Sequence, residues 1–398
     1  MQKLGTDVII IGGGVIGLTS ALVLADAGRE VVLIESGRLG QEASWAGGGI
    51  MSPLYAWRYP RSLDTLLRQS LAVMPALVAR IQSETGIDPE FYETGLWVLS
   101  LPPQERREAI TWACSQGWPV SAKAFDLFHF AARSQPEMGL WFPKVSNIRN
   151  PRLIQGLAQL VRQNKKISIY ENAPAKKVFH QLNHVKALWS VETPDQRIQA
   201  PDVVCAAGAW SSTLLEAARL NCPKLIPAQG QMLLLKPSVL STLQAKGIWA
   251  SGQPCPMVLS EGKYIVPRCD GHILVGSTVE YVGYRKCLAA EAQAELSAFA
   301  GELFGFELGD EHIEAHWAGL RPDPGQAVPI IGPHPDYPGL WLNTGHFRNG
   351  LVLAMGSAEL LCTQMMTKPG ATDVLSTGGF GNAGAAAFAP RLAPLEQA

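Results

Sequence analysis

Three glycines at fixed spacing, Gly12-x-Gly14-x-x-Gly17, stand between the apolar run Val8-Ile-Ile-Ile11 and a stretch, Leu18 to Ala27, that Gly28 ends. A second apolar run, Arg29 to Ile34, follows and leads to Glu35. A glycine triplet alone carries little weight in a chain with 39 glycines. The order of strand, turn, helix and strand around it is what gives it meaning. In such a βαβ unit Gly12 permits the tight turn, Gly14 lets the backbone approach a pyrophosphate, and Gly17 lets the helix pack close to the strand. The free N–H groups and positive dipole end of the helix face the phosphates. Glu35, about 20 residues on, is placed to accept the ribose hydroxyls of an adenosine. The chemistry implied is dinucleotide binding. The uncharged stretch Val8 to Ala25 is not read as a membrane span or leader, because glycines and hydroxyls interrupt it and Asp7 and Asp26 flank it.

The rest of the chain must build around that unit. Its 398 residues are long for one core and imply two domains or one domain with a large insertion. With 33 basic and 34 acidic residues the net charge is −1, which argues against nucleic acid or an anionic membrane as partner and for a small molecule. Seven cysteines show no C-x-x-C pair, as expected of reduced thiols in a cytoplasm with no disulfide framework and no metal site.

Helices are expected over Ser62 to Thr85, Gln104 to Gln116, Arg152 to Asn164, Ala289 to Leu303 and Leu351 to Met366. Strands are expected over Phe91 to Leu101, Lys166 to Tyr170, Ala173 to Phe179, Lys186 to Val191, Ala200 to Cys205, Leu225 to Lys236 and Leu340 to Thr344. Asp270-Gly271 marks a hairpin turn between Tyr264–Arg268 and His272–Gly276, with Pro267 at a strand end or edge. Strands ending in glycine after Ile11, Cys205 and Asn343 imply one sheet assembled from distant segments. Lys368 to Ala398, rich in Gly, Ala and Pro, reads as a mobile tail.

Four further blocks narrow the cofactor: Ser44-Trp-Ala-Gly47-Gly48-Gly49-Ile50, Ala206-Ala-Gly-Ala-Trp210, Trp317-Ala-Gly-Leu-Arg321-Pro322 and Gly345-His-Phe-Arg-Asn-Gly350. Together with the opening motif, they make the chain resemble the FAD-dependent D-amino acid oxidase family from about Asp7 to Met366, nearest to its glycine oxidase branch, in which Gly-His-aromatic-Arg-Asn-Gly occurs. The resemblance implies an α/β fold. A Rossmann-type, glutathione-reductase-like FAD-binding domain would be assembled from residues 1–86, 146–222 and 320–367. An α+β substrate domain built on an antiparallel sheet would comprise 87–145 and 223–319, with 368–398 as the tail.

It implies non-covalent FAD, since no cysteine lies between Cys287 and Cys362. Beside Gly12, Gly14 and Gly17, Val15 and Ile16 would lie over the pyrophosphate, and Glu35 and Ser36 on the adenosine ribose. Ala43, Ser44, Gly48, Gly49 and Ile50 would run along the phosphates and the isoalloxazine ring. Val178 would meet the adenine through its backbone. His346, Phe347, Arg348, Asn349, Gly350, Leu351 and Val352 would meet the isoalloxazine edge, with His346 a hydrogen-bonding contact and not a base.

For the substrate, the resemblance implies that Arg321 clamps a carboxylate, for which a planar, permanently charged guanidinium is suited. Tyr264 would add a second hydrogen bond, and Arg348 would lie beside substrate and flavin, where a positive charge stabilises negative charge on the flavin and on dioxygen. Ile50 would border the substrate. No residue is expected to act as an acid or base, because positioning does most of the work. Ile50 and Val279, where the branch has methionines, and Gly262, where it has histidine, lead to the expectation of extra room for sarcosine or D-alanine. Gln229 stands where many relatives carry a basic residue.

The expected reaction is oxidation of glycine and other small amines to glyoxylate or another 2-oxo acid, ammonia and hydrogen peroxide, with dioxygen as second substrate and a role in thiazole formation for thiamine. The alternatives are a D-amino acid or secondary-amine dehydrogenase passing electrons to quinone, and an FAD-binding protein without turnover. The resemblance also allows a dimer or tetramer.

Overall fold

The computed structural model describes residues 2–125, 138–182, 187–246, 255–367 and 385–390. Its centre is a six-stranded sheet in the order Ile330–Pro333, Leu340–Thr344, Asp202–Cys205, Val8–Ile11, Val31–Ile34, Ile167–Tyr170. All neighbours run parallel except the first pair. Val8, Ile9 and Ile10 are fully buried, as strands covered on both faces require. Each such side chain contributes about 1.5–3 kcal/mol of burial energy. The three strands that end before glycine, from opposite parts of the chain, are adjacent here, as the sequence implies.

The helix Val15–Asp26 is buried on nearly every side because it lies between this sheet and the helix Gly350–Met366. That explains its lack of charge without a membrane. Its polar side chains are satisfied inside: the Thr19 hydroxyl donates to the Val15 carbonyl at 2.8 Å, and Asn343 Nδ2 donates to Ser20 Oγ at 3.1 Å. Among the described residues no helix is long and apolar enough to cross a membrane. The helix Arg61–Thr85 packs on the outer side of Gly350–Met366 and ends at Gly86, whose φ of 71° is the left-handed conformation that glycine takes at little cost.

A second sheet of eight strands runs Ile313–Asp323, Ile226–Leu235, Ile273–Gly276, Lys263–Pro267, Met257–Ser260, Leu96–Val98, Met138–Phe142, Ser121–Ala124. It is antiparallel apart from one parallel pair, Met257–Ser260 with Leu96–Val98, so the expected antiparallel sheet is mixed. The hairpin at Asp270-Gly271 forms in the register Tyr264↔Gly276, and Pro267 closes its strand. A small four-stranded sheet joins Gln2–Gly5 to Gln196–Ala200, Ala187–Glu192 and Lys177–Leu182.

Several expected elements are redrawn. Phe91 to Leu101 is not one strand: Gly95, at φ 76° under the Trp141 ring, splits it into Tyr92–Glu93 and Leu96–Val98. Ala173 to Lys176 is not strand, and the pairing starts at Lys177. Ala200 to Cys205 breaks at Pro201, which has no N–H for a ladder, and its two halves belong to different sheets. Lys186 lies outside the described residues. The helix Pro237–Ala245 and the strand Met257–Ser260 were not legible as such.

The tail reading also changes at one point. Residues 385–390 pack onto the six-stranded sheet: Phe388 is fully buried, and its carbonyl accepts the Ile331 N–H at 2.8 Å. The remainder of 368–398 lies outside the described residues. Phe388→Ala is predicted to cost about 3–5 kcal/mol in urea unfolding, as for other buried aromatic truncations. An unchanged unfolding midpoint would show that this segment is no part of the folded core.

Candidate active site

A cavity of about 360 Å³ opens where the strands Val8–Ile11, Asp202–Cys205 and Leu340–Thr344 end, the position at which open α/β sheets bind ligands. Its walls come from both large sheets.

At the nucleotide end the glycines act as their spacing implies. Gly12 sits at φ 113°, where a Cβ would collide with the Ala206 carbonyl, and a Cβ at Gly17 would collide with the Gly12 carbonyl oxygen. Gly12, Gly14, Val15, Ile16, Glu35 and Ser36 line the cavity, whereas Gly17 lies behind it as packing. The Glu35 carboxylate accepts the Gly13 N–H at 2.6 Å and the Gly37 N–H at 2.8 Å, so it is held at the cavity wall in a fixed orientation. Val178 is not among the residues lining the cavity, where Pro174 and Ala175 stand; its side chain is buried in the core cluster that holds Trp189, which does not contradict the expected contact through its backbone. Strand pairing from Lys177 onward turns Val178 into the sheet.

Along the middle, Ala43, Ser44, Gly48, Gly49 and Ile50 line the wall. Ser44 Oγ accepts the Val15 N–H at 2.9 Å, joining this loop to the helix N-terminus. Asn150 Nδ2 donates to the Ser44 carbonyl at 2.9 Å, and Arg268 donates to the Gly48 carbonyl at 3.0 Å and the Ile148 carbonyl at 3.1 Å. Arg268 is 8% exposed, and burial pulls its pKa down to about 10. Neither Asn150 nor Arg268 stood out in the sequence, since each acts through the backbone of a loop far away in the chain. A Cβ at Gly48 would sit 2.5 Å from the Tyr264 ring, so the loop passes directly over that tyrosine.

At the far end, Arg321 projects from Ile313–Asp323 over Gly230 of the neighbouring strand, where any side chain would strike the guanidinium. Its Nη1 donates to the Thr278 carbonyl at 3.1 Å and its Nη2 to Ser277 Oγ at 2.8 Å. Among the described residues no carboxylate forms an ion pair with it. Burial is the main cause that pulls its pKa down to about 10, and Arg348 adds to the fall. The group remains a cation at neutral pH. Tyr264 is 6% exposed and its hydroxyl donates to Met232 Sδ at 3.5 Å. Gly276, opposite it in register, leaves room for the ring. Arg348 also lines the cavity, and its buried Nε has no hydrogen-bond partner. Two cations and a phenol hydroxyl therefore converge on one end of the cavity with spare donors, an arrangement that calls for an anion.

The closing wall is Gly345–Gly350 and the start of Gly350–Met366. His346, Phe347, Arg348, Gly350, Leu351 and Val352 line it, while Asn349 does not. The Phe347 N–H donates to the Pro322 carbonyl at 3.0 Å, tying this loop to the strand that carries Arg321. His346 is buried, its Nε2 lies 2.9 Å from Ser357 Oγ, and burial pulls its pKa down to about 3. It is a neutral ring at working pH.

Three features expected to set selectivity are only partly at the site. Ile50 lines the cavity, but Val279 is 39% exposed to solvent and Gly262 forms a turn whose N–H donates to the Tyr55 hydroxyl at 2.9 Å. Extra room at Val279 and Gly262 is therefore not at the cavity wall. No cysteine lines the cavity. Among the described residues no cluster could hold a metal. His180/His184 and His312/His316 have the spacing that pairs ligands on a helix, but His180 and His316 lie in strands, and His184 lies outside the described residues.

The glycine cradle, the fixed Glu35 carboxylate and the helix N-terminus at Val15 fit a dinucleotide at one end, and the glycine loop 47–49 fits a flat ring against Tyr264. Comparison with known proteins agrees. The family model of FAD dependent oxidoreductases, DAO, matches residues 7–364. The glycine oxidase of Pseudomonas aeruginosa is 42% identical over 364 residues, 90% of this chain and 94% of that one. That of Pseudomonas putida is 41% identical over 367 residues, 91% and 94% of the two chains. The crystal structure of glycine oxidase from Geobacillus kaustophilus superposes with a TM-score of 0.80 at 24% identity, covering 98% of this chain and 99% of that one. The chain belongs to the DAO family of FAD dependent oxidoreductases.

Proposed function

We propose that this protein oxidises glycine, and small amines such as sarcosine and D-alanine, at an FAD held in the cavity. The balanced reaction is glycine, dioxygen and water to glyoxylate, ammonia and hydrogen peroxide. The observation that carries this reading is Arg321, a half-buried guanidinium lining the cavity with a carbonyl and a hydroxyl as its protein partners and, among the described residues, no ion-paired carboxylate. The identity to two glycine oxidases supports the choice of substrate.

FAD, when bound, supplies the hydride acceptor and the route for electrons to dioxygen. The chain's own residues bind and aim. Gly12, Gly14, Val15 and Ile16 hold the pyrophosphate, Glu35 and Ser36 the ribose, and Ala43, Ser44 and Gly48 to Ile50 the remainder. His346 to Arg348 and Gly350 to Val352 form the wall against the ring, and Ile50 borders the substrate. Arg321 and Tyr264 bind the carboxylate and so fix the α-carbon, which turns a bimolecular encounter into a positioned one. Arg348 supplies positive charge where negative charge develops. His346, neutral and engaged with Ser357, neither accepts nor delivers a proton. The substrate's amine would be bound unprotonated, with its α-hydrogen presented to the ring-facing wall.

In this reading residues 1–86, 146–222 and 320–367 form the FAD-binding domain, and 87–145 and 223–319 the substrate domain. The strands of the six-stranded sheet fall in the first three segments and those of the eight-stranded sheet in the other two, although Ile313–Asp323 crosses the boundary at 320. The unbridged cysteines fit a reducing cytoplasm, and production of the glycine-derived imine fits a supply role in thiazole synthesis.

Anaerobic mixing of the holoenzyme with glycine, sarcosine and D-alanine is predicted to bleach the flavin absorbance, and admitting air to restore it with one peroxide per flavin. Bleaching restored only by a quinone or dye would assign a dehydrogenase, and no bleaching by any of the three would refute turnover of this class. Arg321→Ala is predicted to raise KM for glycine by about 100-fold, the cost of truncating one partner of a buried charge pair. Tyr264→Phe should raise it by about tenfold, the loss of one hydrogen bond to a charged group. Steady-state kinetics on FAD-replete protein check both, and unchanged KM values would remove these residues from the site.

A further inference from the structure

The two acceptors that hold Arg321, Ser277 Oγ and the Thr278 carbonyl, belong to neither of the strands it touches but to the start of an irregular segment, residues 277–289. That segment is a strap across the cavity end. Its outer part is exposed, with Tyr281 58% and Leu288 53% accessible, and is tied at its rim by Tyr281 to Asp323, Tyr284 to the Ala209 carbonyl and Lys286 to Glu42; its inner side is held from underneath.

The fastening is a polar cluster on the strand Ile226–Leu235. The Glu280 carboxylate accepts Gln229 Nε2 at 3.0 Å, Gln231 Nε2 at 2.8 Å and the Thr278 hydroxyl at 2.5 Å. The amide oxygens of the same two glutamines accept the strap's own N–H groups, Cys287 N to Gln229 Oε1 and Ala289 N to Gln231 Oε1, each at 3.0 Å. Backbone bonds in both directions between Gln229 and Glu280 complete the attachment. Gln229 and Gln231 are 1% and 0% exposed, so each amide saturates a strap donor and the strap's carboxylate together.

Two consequences follow for Arg321. Its fork is oriented by atoms whose own positions the cluster sets, which leaves the remaining guanidinium donors directed at the cavity. The Glu280 charge also opposes the cost of a half-buried guanidinium without contacting it. We propose that Glu280 with Gln229 and Gln231 is a positioning unit for the carboxylate clamp, acting through Thr278 and Ser277 on Arg321 and governing substrate affinity. Glutamine at 229 matters because it donates to Glu280 and accepts from Cys287 at once; a lysine there could do only the first.

The inference rests on Arg321 being the carboxylate clamp, and the test separates the two. FAD-loaded Glu280→Gln and Gln229→Leu are compared with the unaltered enzyme and Arg321→Ala, by glycine kinetics and by titrating acetate against the oxidised flavin spectrum. Both cluster variants are expected to raise KM and weaken acetate binding by about tenfold, the coupling typical of residues in one hydrogen-bonded network, with kcat within about twofold. A loss confined to kcat, or KM and acetate affinity unchanged in both variants while Arg321→Ala weakens them, overturns the positioning role and leaves the clamp standing. Acetate binding unaffected by Arg321→Ala overturns both. Loss of FAD from both cluster variants also overturns it, because the cluster would then hold the fold and not the clamp.

Discussion

A half-buried guanidinium at a cavity wall, held by a carbonyl and a hydroxyl and, among the described residues, by no carboxylate, is an arrangement a fold does not adopt without cause. Arg321 is such a group, and much of the molecule can be understood as the scaffold that keeps it there. Gly230 opens the space for its head, Ser277 and Thr278 orient it, and the Phe347–Pro322 hydrogen bond sets the ring-facing wall at a fixed distance along the same strand. An anion entering the cavity would complete a charge that the protein has left incomplete.

The second requirement is a flat, narrow place for the cofactor next to that charge. It is made by close approach of backbones. Gly12 against Ala206, Gly17 against Gly12, Gly48 against Tyr264 and Gly319 against Ala46 each bring two segments nearer than a side chain would permit. The first two tighten the turn at the end of the six-stranded sheet, and the last two bring the 43–49 segment against the eight-stranded one, where the two must share a ligand. Asn150 and Arg268 then fix the 44–49 loop by its carbonyls, so its geometry does not depend on the loop's own sequence alone.

What could be read in the sequence followed from how local its physics is. The βαβ unit at Val8–Ile34, the Asp270-Gly271 hairpin and the long helices are short-range patterns, and they appear with errors of a few residues at their ends. The family blocks led to Arg321, Tyr264 and Arg348, which do meet at one cavity end. The start of the strand that carries Val178 was misjudged, because Ala173 to Lys176 did not reveal where pairing begins. Val279 and Gly262 were credited with shaping the pocket from position alone, whereas burial decides that. Arg268, Asn150, Gln231 and Glu280 were invisible for a common reason: each acts on backbone or side chains from a distant part of the chain, and no spacing records it; Gln229 stood out only as a departure from its relatives, without its partners. The buried Phe388 was hidden in a composition that reads as tail.

In the proposed function the substrate is recognised through its carboxylate by the Arg321 guanidinium. Glycinamide has the amine and size of glycine without the negative charge, so the direct measurement is the concentration dependence of anaerobic flavin reduction by the two. Glycinamide is predicted to half-saturate at a concentration about 100-fold higher than glycine. Equal half-saturation would contradict it, because the charge of Arg321 would then contribute nothing to holding the substrate.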